Sequence, residues 1–110
     1  YKSRNYYSKI MITINVKKTN DKVEQIIIKG HAGYDVYGKD IVCASVSSIV
    51  ITSVNAILKL NSKAITYHND DVLEILVNAQ DSVTDILLNN MIDLLIELSE
   101  TYKKNIKINI

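Results

Sequence analysis

The chain contains no proline and only three glycines, and all three glycines fall between residues 30 and 38. Backbone freedom is therefore concentrated in one short stretch. The hydrophobic pattern of the chain is continuous enough to assign elements by period.

Ile12, Ile14 and Val16 alternate with Thr13 and Asn15, the pattern of a half-buried strand. Lys18-Thr19-Asn20-Asp21 is a turn cluster, and Val23 to Lys29 is a second strand rich in β-branched residues. Residues 41–60 carry apolar groups at Cys43, Val46, Val50, Val54, Ile57 and Leu58, which is helical spacing; Val, Ile and Thr are poor helix formers, but the segment is too long for a strand. Ala64 to His68 and Val72 to Ala79 read as strands joined at Asn69-Asp70-Asp71. Residues 82–104 form a second helix with a stripe of Val83, Leu87, Met91, Leu94, Leu95, Leu98 and Tyr102. Ser82 and Asp85 suggest a capping box at its start, and Lys103 and Lys104 suit its end. Ile106, Ile108 and Ile110 alternate once more.

The order is ββα-ββα-β, an α+β fold with a mixed sheet packed with two helices. At 110 residues the chain is one domain, able to bury a core without metal or disulfide. Residues 11–110 make up that domain. Residues 1–10 show no period and are set aside as an N-terminal extension or an expression remnant. The net charge of +1 argues against direct nucleic-acid binding. The longest apolar pieces, such as Ile49-Val50-Ile51 and Leu94-Leu95-Ile96, fall far short of the roughly 20 residues of a membrane span. The expectation is a cytoplasmic protein with no membrane partner and no need of a metal or cofactor.

Chemistry points to one place. Cys43 is the sole cysteine and stands near the start of a helix, where outward N–H groups and the helix dipole favour a thiolate. His31, on the adjoining glycine-bearing loop, can fold back as its base, the pairing used in covalent acyl transfer. The same N–H groups can receive an oxyanion. Asp40 either orients the imidazole or simply caps the helix. Read singly, each residue has a plainer alternative: a lone Cys on an apolar helix face can be inert core, and Ser47 a small packing residue. His68 lies on a strand with no evident partner.

The segment Gly30-His31-Ala32-Gly33, followed by Gly38-Lys39-Asp40-Ile41-Val42-Cys43-Ala44-Ser45-Val46-Ser47, resembles the signature of the ribosomal-processing cysteine protease family, called Prp. The likeness extends over Met11 to Ile110. It implies His31 and Cys43 as the catalytic dyad, with Asp40 and Ser47 as supporting positions. It also implies a homodimer and a mobile substrate loop carrying Gly33, Tyr34, Tyr37 and Gly38. The implied substrate is the N-terminal extension of the precursor of large-subunit ribosomal protein twenty-seven, cut after aromatic residues through a thioester. The competing reading is a ribosome-associated module of the same fold that binds a peptide without cleaving it.

Overall fold

The computed structural model describes residues 11–30 and 41–110. Strands β1 (Ile12–Thr19) and β2 (Lys22–Lys29) form a hairpin, followed by helix α1 (Ile41–Leu60). A second hairpin of β3 (Ile65–Asn69) and β4 (Leu73–Val77) leads to helix α2 (Ser82–Thr101) and strand β5 (Ile106–Asn109). This is the expected ββα-ββα-β order.

The sheet runs β3-β4-β2-β1-β5. β1 and β2, β2 and β4, and β3 and β4 pair antiparallel, whereas β5 lies parallel to β1. It follows that β2 and β3 point the same way, as do β4 and β5. Each pair is joined by one helix, so the fold is two split crossovers, β2-α1-β3 and β4-α2-β5.

Register explains why both helices lie on one face. The rows Ile108–Ile14–Ile28–Leu73 and Val16–Ile26–Ile75–Tyr67 run across the sheet, and their central members are buried. The row between them, Asn109–Asn15–Ile27–Glu74–His68, faces the other way and is half-buried to exposed. On that open face Asn109 Nδ2 donates to Asn15 Oδ1 at 2.7 Å and Gln25 Nε2 to Glu74 Oε2 at 2.6 Å.

The first hairpin needs a correction of phase that alternation alone cannot provide. Val23 and Ile26 are both buried although they are an odd number of residues apart. The register slips between Lys17 and Lys18: Lys17 faces Gln25 while Lys18 faces Val23. Glu24 is therefore an extra residue on β2, a bulge that returns both apolar side chains to the core. Strand β1 continues through Thr19, further than the turn cluster suggested. The reversal itself is only Asn20-Asp21, with φ of 52° and 68°. Such a two-residue turn matches strand twist, and Asn and Asp tolerate the left-handed region.

Helix α1 buries Val42, Cys43, Val46, Val50, Val54 and Ile57, close to the stripe read from spacing. Sequence inspection found only short apolar pieces, yet α1 is long and apolar enough to cross a membrane by length and composition. Its runs are interrupted by Ser, Thr and Asn rather than by charge. In this fold its apolar stripe is part of the core shared with the sheet and α2.

Helix α2 departs from expectation at three points. Its buried face is Thr84, Leu88, Met91, Ile92 and Leu95, while Val83 and Leu94 are 48% and 40% exposed. The helix has apolar residues on more than one stripe, and packing selects the one rotated by about a residue. The N-cap is Asp81, not Ser82: its Oδ1 accepts from the Thr84 N–H at 2.8 Å, and its Oδ2 accepts from the Thr84 hydroxyl at 3.1 Å. That second bond lets a hydroxyl be buried without losing its partner. Finally, the helix ends at Thr101, with the Tyr102 N–H donating to the Leu98 carbonyl. Lys103 and Lys104 lie beyond it, because the chain must turn at once to bring Ile106 beside Ile12.

The hydrogen bonds from Thr84 hold the Asp81 carboxyl below its ordinary pKa. A depressed folded value contributes stability above the unfolded pKa, near 3.8, that is lost as pH falls through the folded value. Asp81→Ala should lower Tm at neutral pH, and the gap from wild type should close in strong acid. Thermal melts followed by circular dichroism across pH test this.

Candidate active site

Strand β2 leaves the sheet at Gly30, and α1 begins at Ile41. Because β2 and β3 are parallel, α1 starts at the carboxyl end of β2 and runs back to the start of β3. In crossover folds that end of the sheet is where ligand sites gather, since chain ends and helix N-termini converge there. Cys43 occupies the first turn of α1. The first turn of a helix presents backbone N–H groups outward, at the positive end of the helix dipole. A thiolate and an oxyanion are both favoured by that position.

The side chain of Cys43 is only 4% exposed and belongs to the core cluster with Val42 and Val46. It is thus held by packing as well as by the helix, which fixes the sulfur against a rigid element. Ser47 follows one turn later on the same side of α1 and is half-buried. Ile41, at the entrance to the helix, is 64% exposed.

His31 and Asp40, with Gly33, Tyr34, Tyr37 and Gly38 of the expected substrate loop, lie outside the described residues. Of the expected site, Cys43 and Ser47 are within them, both on α1. His68 is exposed on β3, where it pairs with Glu74 across the open face rather than on the side occupied by Cys43. Among the described residues, no group of His, Cys, Asp and Glu side chains is arranged to hold a metal ion.

Gly30 carries a feature to which spacing alone assigns no role. Its φ is +87°, and a Cβ there would overlap the carbonyl oxygen of Met11. The position directly after β2 is thus a place only glycine fits.

A two-layer α+β fold with a cysteine seated on a helix N-terminus, at the carboxyl end of a core strand, has the architecture of a thiol hydrolase. Comparison with known proteins gives the class its family. Residues 11–107 match the family model described as cysteine protease Prp. The ribosomal processing cysteine protease Prp of Staphylococcus aureus is 33% identical over 106 residues, covering 90% of this chain and 98% of that protein. The crystal structure of the S. aureus protease in complex with a substrate peptide matches at a TM-score of 0.81 with 33% identity. The S. aureus structure with a covalently linked product peptide matches at 0.82 with 34% identity; each covers 90% of this chain and 98% of the other. The chain belongs to the Prp family of cysteine proteases, and it is a cysteine peptidase.

Because Cys43 is one small side chain in an aliphatic cluster, Cys43→Ala should cost only about 1 kcal/mol, in the range of a single-methyl deletion. Urea unfolding of the two proteins should give midpoints that differ by no more than this implies. A collapse of the fold would mean that the sulfur is a structural keystone.

Proposed function

We propose that this chain removes the N-terminal extension from the precursor of large-subunit ribosomal protein twenty-seven, with Cys43 as nucleophile and His31 as base. The observation that carries the reading is the seat of Cys43, buried in the first turn of α1 at the carboxyl end of β2. Support comes from the S. aureus relative, whose structures hold a substrate peptide and a covalently linked product peptide.

The imidazole of His31 takes the thiol proton, and the thiolate attacks the carbonyl carbon of the scissile bond. The first-turn N–H groups of α1 receive the negative oxygen that forms. As that intermediate collapses, the C–N bond breaks and the leaving amine takes the proton from the imidazolium. The shortened ribosomal protein departs with a new amino terminus, and the extension remains as a thioester on Cys43. Water then attacks the thioester, giving its proton to His31, and the C–S bond breaks to release a carboxylate and restore the thiol. Asp40 either orients the His31 ring or caps α1. Ser47 is a supporting position one turn after Cys43, Gly33, Tyr34, Tyr37 and Gly38 belong to the substrate loop, and aliphatic side chains with Tyr34 or Tyr37 take the aromatic residues before the cut.

The protein acts in the cytoplasm as a homodimer in this reading. The outer face of α1 supports self-association: Ile41 and Ile51 are exposed beside Ala44, Ser48, Thr52 and Asn55, and the helix carries no charge before Lys59. A face without charge can meet its own copy without repulsion.

Incubation with a peptide spanning the extended N-terminus should give a single cut, seen by mass spectrometry, that is lost in Cys43→Ala. Substituting Ala for the aromatic residues before the cut should abolish it. Equal cleavage of a scrambled peptide would overturn the dedicated substrate. Asp40→Ala should reduce the rate less than His31→Ala; full activity with reduced stability would assign Asp40 as a cap alone.

Alkylation of Cys43 by iodoacetamide should titrate below the ordinary thiol range, and His31→Ala should move that titration upward. An ordinary profile unchanged by His31→Ala would rule out the dyad.

A further inference from the structure

Helix α2 carries four acidic side chains, Asp85, Asp93, Glu97 and Glu100, and no Lys or Arg. Asp85 is ion-paired with Lys22 at 3.6 Å. Among the described residues the other three are in no ion pair, not even with Lys103 or Lys104 just beyond the helix. All three are exposed, and all lie in the second half of α2. Asp93 and Glu97 are four residues apart and Glu97 and Glu100 three, so their side chains are neighbours on one stripe. Val83, Ile86, Asn90 and Leu94 form the stripe beside it, with Val83, Ile86 and Leu94 48%, 64% and 40% exposed. The outer face of α2 is thus an apolar ridge with an acidic flank.

This arrangement works against folding. The C-terminus of a helix is the negative end of its dipole and favours cations, yet the last turn of α2 holds no basic residue. Like charges four residues apart repel as well. Neutral side chains at 93, 97 and 100 would suit the helix better. The topology shows where the carboxylates can act instead. Helix α2 runs into β5, and Ile106 at the start of β5 pairs with Ile12 at the start of β1. The start of β1 in turn pairs with the end of β2, Thr13 with Lys29. The acidic half of α2 therefore finishes at the carboxyl end of β2, the end at which α1 begins with Cys43, and the two helices pack against each other.

We infer that the outer face of α2 is a docking surface for the basic body of the substrate, the part of the ribosomal protein that follows the cut. The inference rests on the reading of the substrate as a ribosomal protein precursor. A protein that sits among RNA phosphates carries an excess of Lys and Arg to meet them. While the extension lies at Cys43, that basic body is held beside the same end of the fold. Asp93, Glu97 and Glu100 offer it opposite charge there, and Leu94 and Ile86 offer apolar contact. Complementary charge on two partners speeds their encounter and disfavours wrong partners. The face binds and orients the substrate and takes no part in the bond-breaking step.

The triple variant Asp93→Asn, Glu97→Gln, Glu100→Gln tests this with the intact precursor as substrate. At low salt its KM should rise about tenfold, with kcat unchanged. Added salt should raise the wild-type KM and close most of that gap. The same variant should melt a few degrees above wild type, because repulsion at the end of α2 is relieved. The double variant Asp70→Asn, Asp71→Asn removes charge from the β3–β4 turn at the opposite edge of the sheet from β5, and should leave KM as it is. A triple variant with the wild-type KM overturns the inference, as does an equal rise in KM from the double variant. A triple variant that melts below wild type shows that the carboxylates serve the fold, and one that changes oligomeric state in sedimentation assigns the face to a second copy; either overturns the inference. Wild-type enzyme that cuts neither the precursor nor the short peptide overturns the proposed substrate instead, which separates the two failures.

Discussion

The packing of α1 against the sheet is the contact on which the rest depends. Val42, Cys43, Val46, Val50, Val54 and Ile57 form one seam down the helix, and that seam is part of the same aliphatic cluster as Ile14, Ile26, Ile28 and Ile75. The chain has no Trp, Phe or Pro, and among the described residues the aromatic side chains packed on this core are the partly buried Tyr67 and Tyr102. The core is held by many branched side chains in close contact, where removing a few methylenes costs several kcal/mol, typically about 2–5 for Ile→Ala. Fixing α1 in that seam fixes its first turn in space, and with it the sulfur.

In the role proposed for it, Cys43 serves two ends that pull in different directions. As a core residue it gains from exclusion of water. As a nucleophile it must be ionised and must meet a carbonyl, and burial opposes ionisation. The helix N-terminus offsets part of this opposition, since its N–H groups and dipole stabilise negative charge without exposing the sulfur. In the proposed role, a thiolate could thus be stabilised while the residue stays at 4% exposure. For a peptidase surrounded by other proteins, a covered nucleophile is also a restraint on indiscriminate cleavage. Closure around the correct substrate is a recognised route to specificity.

Much of the fold could be read from the sequence because its elements follow their periods closely. The alternation of Ile12, Ile14 and Val16 and the stripe from Cys43 to Ile57 map directly onto the core. The misplaced details arise where period is ambiguous or where tertiary contacts decide. Helix α2 has enough apolar residues for more than one stripe, so only packing against α1, β2 and β5 selects Leu88 and Ile92 over Val83 and Leu94. Its N-cap shifted to Asp81 because that carboxylate satisfies both the N–H and the hydroxyl of Thr84, a pair of hydrogen bonds invisible to a motif search from Ser82. The bulge at Glu24 was hidden for a related reason: the sequence shows Val23 and Ile26 out of phase, but not which strand carries the extra residue. Of the candidate site, the sequence placed Cys43 on the apolar stripe and near the start of α1, and the structure has it in both places; His31 and Asp40 lie outside the described residues.

Gly30 illustrates the limit from the other side. In the sequence it is one of three glycines within nine residues, and flexibility is the obvious reading of such a group. In the structure it is the reverse of a flexible point, confined by the backbone of Met11 and Ile12 to a conformation no other residue accepts without strain. Glycine can give a chain freedom or let it pass where nothing else fits, and composition does not distinguish the two. The distinction lies in what surrounds the missing Cβ. Here it is a hydrogen-bonded strand start, so the glycine that follows β2 is a fixed point and not a hinge. The described backbone on the two sides of residues 31–40 is thus set by packing, at Gly30 after β2 and in the first turn of α1, where Cys43 sits.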